Sequence, residues 1–327
     1  MMEGGAYDVY FYEAFAEEAD GLRRFLPSDV KAGFTWKTIQ EAGDTRPPAP
    51  LISVRTQSRL PHAWAPALKA ILSRSTGFDH LERYRRATGA EIGYGYLPLY
   101  CHRAVAEQAL LLWLALLRRL PQQREAFARF SRDGLTGGEC AGKHLVVVGV
   151  GNIGSEVARI GLGLDMRVTG VDIEPKHDFV SHAPLERAVA TADVLVCCMN
   201  LTPENTGYFT TARLSHAPAG LVFVNVARGE MAPATVLLPM LEDGHLGGVG
   251  MDVYPQESEL ALWLRSGTSS ADAEVRATLA MAKRRDVIFT PHNAFNTREA
   301  VERKARQSIE QIVAFRQEGR FVWEAPR

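Results

Sequence analysis

Gly149-Val150-Gly151-Asn152-Ile153-Gly154 fits the spacing G-x-G-x-x-G. That pattern serves to grip a pyrophosphate. Gly149 permits a tight turn, Gly151 lets backbone approach the phosphates, and Gly154 lets the next helix pack on the preceding strand. The run Leu145–Val148 comes just before it, and a helical stretch, Ser155 to Leu162, comes just after. A helix N-terminus there presents unpaired N–H groups and partial positive charge to an anion. Asn152 and Ile153 fall among the residues expected to meet the bound group. A second strand pattern, Arg167 to Val171, ends at Asp172, 18 residues past Gly154. Its carboxylate would accept hydrogen bonds from a ribose 2′-hydroxyl and repel a 2′-phosphate, so the expected cofactor is NAD rather than NADP.

The elements around this loop read as alternating strands and helices. After the loop glycines Gly137, Gly138 and Gly142, strand patterns fall at His144–Val150, Arg167–Val171, Val194–Cys198, Leu221–Val226, Gly247–Met251 and Val287–Phe289. About six strands with helical stretches between them make a doubly wound dinucleotide-binding sheet. Before it, Tyr7–Tyr12, Leu51–Val54 and Ala70–Leu72 read as strands of a second parallel sheet, with a helical stretch ending near Pro27. Arg103–Arg119 is expected as one long buried helix stopped at Pro121. Thr297–Gln317 carries Val301, Ala305, Ile309, Ile312 and Val313 at helical spacing. Ser266–Ala273 is the most loop-like stretch. The fold class is thus α/β, with two Rossmann-like domains built on parallel sheets.

Bulk properties narrow the function. A chain of 327 residues suits two domains, and its 46% hydrophobic and 23% charged residues are an ordinary globular balance. A net charge of −1 gives no field for a nucleic acid or another polyanion. The run Ala109–Leu117 is too short to span a membrane, so no membrane partner is expected. Met-Met-Glu-Gly-Gly lacks a basic region followed by an apolar run, so the expected location is cytoplasmic. Cys101, Cys140, Cys197 and Cys198 form no C-x-x-C pair and read as reduced, small apolar residues; no metal site is expected.

Further motifs resemble those of the D-isomer-specific 2-hydroxyacid dehydrogenase family, from about Arg74 to Thr297. They are Asn225-Val226-Ala227-Arg228-Gly229, Met251-Asp252-Val253-Tyr254-Pro255-Gln256-Glu257, Thr290-Pro291-His292-Asn293-Ala294-Phe295, and Ala104-Val105-Ala106-Glu107 on the long helix. The resemblance implies reduction of a small 2-keto acid to the D-2-hydroxy acid. Arg228 would hold the substrate carboxylate in a forked, permanently charged grip. His292 would give the proton in reduction and take it in oxidation. Glu257, 29 residues after Arg228, would hydrogen-bond the other imidazole nitrogen, although its segment reads as a loop and Glu259 is close by. Asp252 would lie near the nicotinamide. Met199, Asn200, Asn205 and Val226 join the expected cofactor contacts.

The same resemblance points to the substrate side. Arg74-Ser75-Thr76-Gly77-Phe78-Asp79 resembles the loop whose backbone N–H groups receive the carboxylate, with Thr76 and Gly77 as the binding pair. Leu97-Pro98-Leu99-Tyr100 and Phe295 resemble the D-lactate dehydrogenase branch, which makes Tyr100 a candidate substrate residue and pyruvate/D-lactate the first pair to expect. Two segments depart from the family. Cys101-His102 replaces Ser-Pro, and Cys198-Met199-Asn200 replaces His-x-Pro. The substrate therefore stays open among family activities on hydroxypyruvate, glyoxylate or phosphite. The acid at position 257 argues against formate, where a glutamine stands. A non-catalytic NAD-sensing corepressor carries the same motifs. The implied domains are a substrate domain, residues 1–101 and 293–327, and an NAD-binding domain, residues 102–292, with the active site in the cleft between them. A homodimer that uses the long helix is also implied.

Overall fold

The computed structural model describes residues 6–267 and 269–326. The chain divides into two compact units. One takes in the chain up to Cys101 and again from Asn296 onward; the other is His102–Phe295.

In the first unit five parallel strands, β1 (Val9–Phe11), β2 (Ala32–Phe34), β3 (Leu51–Val54), β4 (Ala70–Ser73) and β5 (Gly93–Gly95), lie in the order β2-β1-β3-β4-β5. Every residue of β3 and β4 is buried, as parallel strands covered on both faces must be. Tyr12, Ile52, Trp64, Ile71, Leu81 and Tyr84 belong to the core on one side. β2 and β5 escaped the sequence reading because each is three residues long and contains glycine. The helix Ala16–Phe25 packs against Arg298–Glu318, where a Cβ on Gly21 would stand 3.0 Å from that of Ala305. Thr297 caps the latter helix by accepting the Ala300 N–H.

Charged groups are also buried here. The carboxylate of Glu18 receives Arg74 Nε at 2.9 Å and lies 2.8 Å from Lys304 Nζ, and all three side chains are fully buried. The two cations hold Glu18 down to about 2 against its burial, while burial pulls Lys304 down to about 7.

The second unit holds β6 (His144–Val148), β7 (Arg167–Val171), β8 (Ser181–His182), β9 (Val194–Cys197), β10 (Leu221–Asn225), β11 (Leu246–Met251) and β12 (Val287–Phe289). All are parallel, in the order β12-β11-β10-β9-β6-β7-β8. The run β8-β7-β6-β9-β10-β11 is the complete doubly wound order, with β12 added beside β11, and the strand order reverses between β6 and β9. The sheet has seven strands rather than about six. β8 was missed because it is two polar residues on an edge, with no apolar run to betray it. β6, β9 and β10 are buried along their whole lengths.

Three expectations need correction. The long helix ends at Leu117, not at Arg119, and Pro121 is not what stops it; Arg119 takes a left-handed conformation and Pro121 lies in the first turn of a second helix, Leu120–Phe127. Proline at that position lacks an N–H that the helix would not use. The long helix is also only half buried: Ala109, Leu112, Trp113, Ala115 and Leu116 face the core, whereas Leu111 and Leu114 are exposed. Finally, Glu257 does not lie in a loop but opens the helix Glu257–Ser266. The second compact unit closes at Phe295, and the backbone of Asn293 and Ala294 is tied to Asp252.

Candidate active site

The glycine loop joins β6 to the helix Asn152–Gly163, which starts three residues earlier than expected. Gly149 has φ +88°, and a Cβ there would lie 2.7 Å from the Met199 nitrogen. A Cβ on Gly154 would stand 1.9 Å from the Gly149 carbonyl oxygen. These two glycines are demanded by the fold itself. Gly151 is different, because a Cβ there would meet nothing within 4 Å. The open space lies at the helix N-terminus, where no side chain caps the first turn containing Asn152 and Ile153. A pyrophosphate fits that cradle.

Asp172 follows β7 and turns back to the loop. Its Oδ2 accepts the Val150 N–H at 2.6 Å and its Oδ1 the Glu174 N–H at 3.0 Å. The acid is fixed beside the glycines, where a ribose next to the pyrophosphate would meet it. Met199 and Asn200 follow β9. Asn205 accepts the Thr202 N–H with its amide oxygen and donates to the Asn200 carbonyl, so its side chain holds its own loop together. Val226, just past β10, is buried.

Arg228, Glu257 and His292 follow β10, β11 and β12, three adjacent parallel strands, so the topology carries them to one edge of the sheet. Asn225 shapes the Arg228 turn by accepting the Ala227 N–H and donating to the Arg228 carbonyl. A Cβ on Gly229 would stand 1.9 Å from the carbonyl carbon of Tyr254, so only glycine lets the segment leading to Glu257 pass so close. His292 Nδ1 lies 2.9 Å from both Glu257 oxygens. An imidazole N–H pointed at a carboxylate fixes the ring's orientation and tautomer.

His292 itself has φ +50°, a left-handed conformation that costs a non-glycine residue about 1–2 kcal/mol. Asp252 holds it there. Its Oδ1 accepts the Asn293 N–H and its Oδ2 the Ala294 N–H, each at 2.8 Å. The Thr290 hydroxyl donates to Oδ1 at 2.5 Å. Asp252, expected near the nicotinamide, thus uses both oxygens on the segment that carries His292. Thr290, Tyr254 and Gln108 belong to the same cluster and were not singled out from the sequence.

The substrate-side candidates lie in the first unit. Thr76 and Gly77 follow β4, and the Ser75 hydroxyl donates to the Gly77 carbonyl at 2.6 Å. Tyr100 is nearly buried, with Lys304 Nζ 5.7 Å from its ring centre and Arg303 donating to its carbonyl. The structure thus does not display its hydroxyl openly. The four cysteines are unbridged. No group of metal-ligating side chains occurs, and no helix is long and apolar enough to cross a membrane, among the described residues.

A family model for the NAD-binding domain of D-isomer-specific 2-hydroxyacid dehydrogenases matches residues 110–294, more than half of the chain. The chain belongs to that family. The D-lactate dehydrogenase of Escherichia coli K12 is 30% identical over 253 residues, 75% of each chain. That of Leuconostoc mesenteroides subsp. cremoris is 28% identical over 250 residues, 74% of each. A solved D-lactate dehydrogenase of Aquifex aeolicus, complexed with NAD and lactic acid, superposes with a TM-score of 0.84 at 26% identity, covering 98% of this chain and 100% of that one. The chain is therefore an NAD-dependent oxidoreductase of the D-lactate dehydrogenase branch, acting on the CH–OH group of 2-hydroxy acids. For the D-2-hydroxyacid dehydrogenase described here, the glycine loop and Asp172 are the parts of the NAD-binding domain with geometry suited to the pyrophosphate and the ribose.

Proposed function

We propose that this dehydrogenase reduces pyruvate to D-lactate, with His292 as the proton donor. The observation that carries the reading is the Glu257–His292 pair. With Nδ1 directed at Glu257, the transferable proton sits on Nε2. Bound NADH would supply the hydride to the carbonyl carbon. His292 would deliver its proton to the carbonyl oxygen, and Arg228 would hold the carboxylate and polarise the carbonyl. Thr76 and Gly77 would receive the same carboxylate through backbone N–H groups, and Tyr100 would border the substrate's tail. The names of the matched relatives support the lactate assignment over the other 2-hydroxy acids.

The test is NADH oxidation with pyruvate, 2-ketobutyrate, phenylpyruvate, hydroxypyruvate, glyoxylate and oxaloacetate. Pyruvate should be turned over best, and His292→Ala should lose most turnover while still binding NADH. Binding of NADH with no turnover of any acid would point to an NAD-sensing binder instead. Full activity in His292→Ala would remove His292 as the acid.

The partner proposed for the exposed apolar face is a second copy of the chain. The helix Leu120–Phe127 buries none of its residues, and Phe127 and Phe130 are each 76% exposed. Leu111, Leu114 and Leu120 are exposed on the same stretch of chain. Apolar side chains gathered in this way signal a contact surface.

A further inference from the structure

Thr290 sits two residues before His292 and takes part in five hydrogen bonds. Its hydroxyl accepts from Gln108 Nε2 at 3.2 Å and donates to Asp252 Oδ1 at 2.5 Å. Its carbonyl accepts the His292 N–H at 2.9 Å and the Tyr254 hydroxyl at 2.7 Å. Its own N–H is held by the Met251 carbonyl at 3.0 Å.

The direction of the hydroxyl bond is forced. A hydroxyl has one proton, and an ionised carboxylate can only accept. The Gln108 amide approaches the Thr290 oxygen as a donor, so the single Thr290 proton points at Asp252. Asp252 is buried, and burial pushes its carboxyl up; the Thr290 hydroxyl and the charge on His292 pull it back towards the ionised form. Ionised, its two oxygens hold the Asn293 and Ala294 amides and so keep His292 in its left-handed conformation.

We propose that Thr290 is a positioning residue for the hydride-transfer reaction: its hydroxyl, oriented by Gln108, locks Asp252 onto the backbone that aims His292. This rests on His292 as the proton donor. The charged and titratable groups around the clamp are Asp252 at the end of β11, Glu257 on its helix and His292 after β12. The long helix contributes the uncharged Gln108. Thr290 reaches the His292 segment through Asp252 and its own backbone, so its loss acts on turnover through geometry.

The test compares Thr290→Val, which keeps the shape and removes the hydroxyl, with Thr290→Ser, which restores it. Each is assayed for kcat, KM and NADH affinity beside His292→Ala. Thr290→Val should lose roughly tenfold to a hundredfold in kcat, the worth of a hydrogen bond to a charged group. KM for pyruvate and NADH affinity should hold within about twofold, the pattern of an interaction that matters only in the transition state. Thr290→Ser should recover most of the rate, and Gln108→Leu should show a smaller loss in the same direction. Wild-type kcat in Thr290→Val overturns the proposal. So does a Ser variant no better than Val, or a rate loss matched by weaker NADH binding or a lowered melting temperature. If His292→Ala keeps its activity, the underlying reading falls; if only Thr290→Val does, that reading stands and the clamp alone is wrong.

Discussion

At the scale of single residues the proposed chemistry rests on one pair. Glu257 fixes the His292 ring, since both of its oxygens lie 2.9 Å from Nδ1. Glu257→Gln keeps the size but puts an amide where the carboxylate receives Nδ1, so the ring is aimed less firmly. The kcat of keto-acid reduction in Glu257→Gln should therefore drop by roughly tenfold or more. Steady-state assays beside the wild type read this directly, and an unchanged kcat would show that Glu257 does not act on His292. The residue types at this pair were legible in the sequence because their motifs stand in family order. The clamp behind them was not. Gln108 and Thr290 are 182 positions apart, and neither side chain announces a partner. The one sign of it in the sequence is the threonine of Thr290-Pro291-His292, and a threonine there has no partner that local spacing reveals.

At the scale of elements, what was legible followed burial. β3, β4, β6 and β9 are continuous apolar runs and were found with near-correct ends. β2, β5 and β8 are two or three residues of glycine or polar character, held by strand pairing that no local pattern encodes. The buried charges of the first unit were equally silent, since Glu18, Arg74 and Lys304 come from two helices and a strand end far apart in sequence. Their arithmetic makes a prediction. Glu18 faces two cations, so Glu18→Gln leaves both unopposed and should cost about 3–5 kcal/mol, whereas Lys304→Met leaves a neutral Glu18–Arg74 pair and should cost little or even stabilise. Denaturant unfolding of the two variants separates them, and equal losses would refute the charge argument. The pH sign also follows. Folded Lys304 is depressed to about 7 from 10.5. Between those values the unfolded chain binds more protons, so wild-type stability should rise with pH relative to Lys304→Met.

At the scale of the whole molecule, the two sheets and the site at the strand ends of the second unit follow from an alternation that the sequence displays. The exposed side of the long helix does not, because an apolar run reads alike whether it faces a core or a partner. If the second copy covers Leu111, Leu114, Phe127 and Phe130, then Phe127→Glu with Phe130→Glu should halve the mass seen by sedimentation while each unit stays folded. A wild-type protein that sediments at the mass of one chain would remove the dimer.

The second unit is one continuous stretch, but the first is closed by a helix that comes after the whole of it in the chain. Arg298–Glu318 follows, far along the chain, Ala16–Phe25, the helix it packs on, and brings Lys304 to a charge cluster whose other members, Glu18 and Arg74, precede the second unit. During synthesis the first unit must therefore wait with an open helix face and an unfinished ion network while the second unit folds. The unit that begins before the second is completed only after it, and a chaperone that shields its open face would have to hold on until the whole of the second unit has been made.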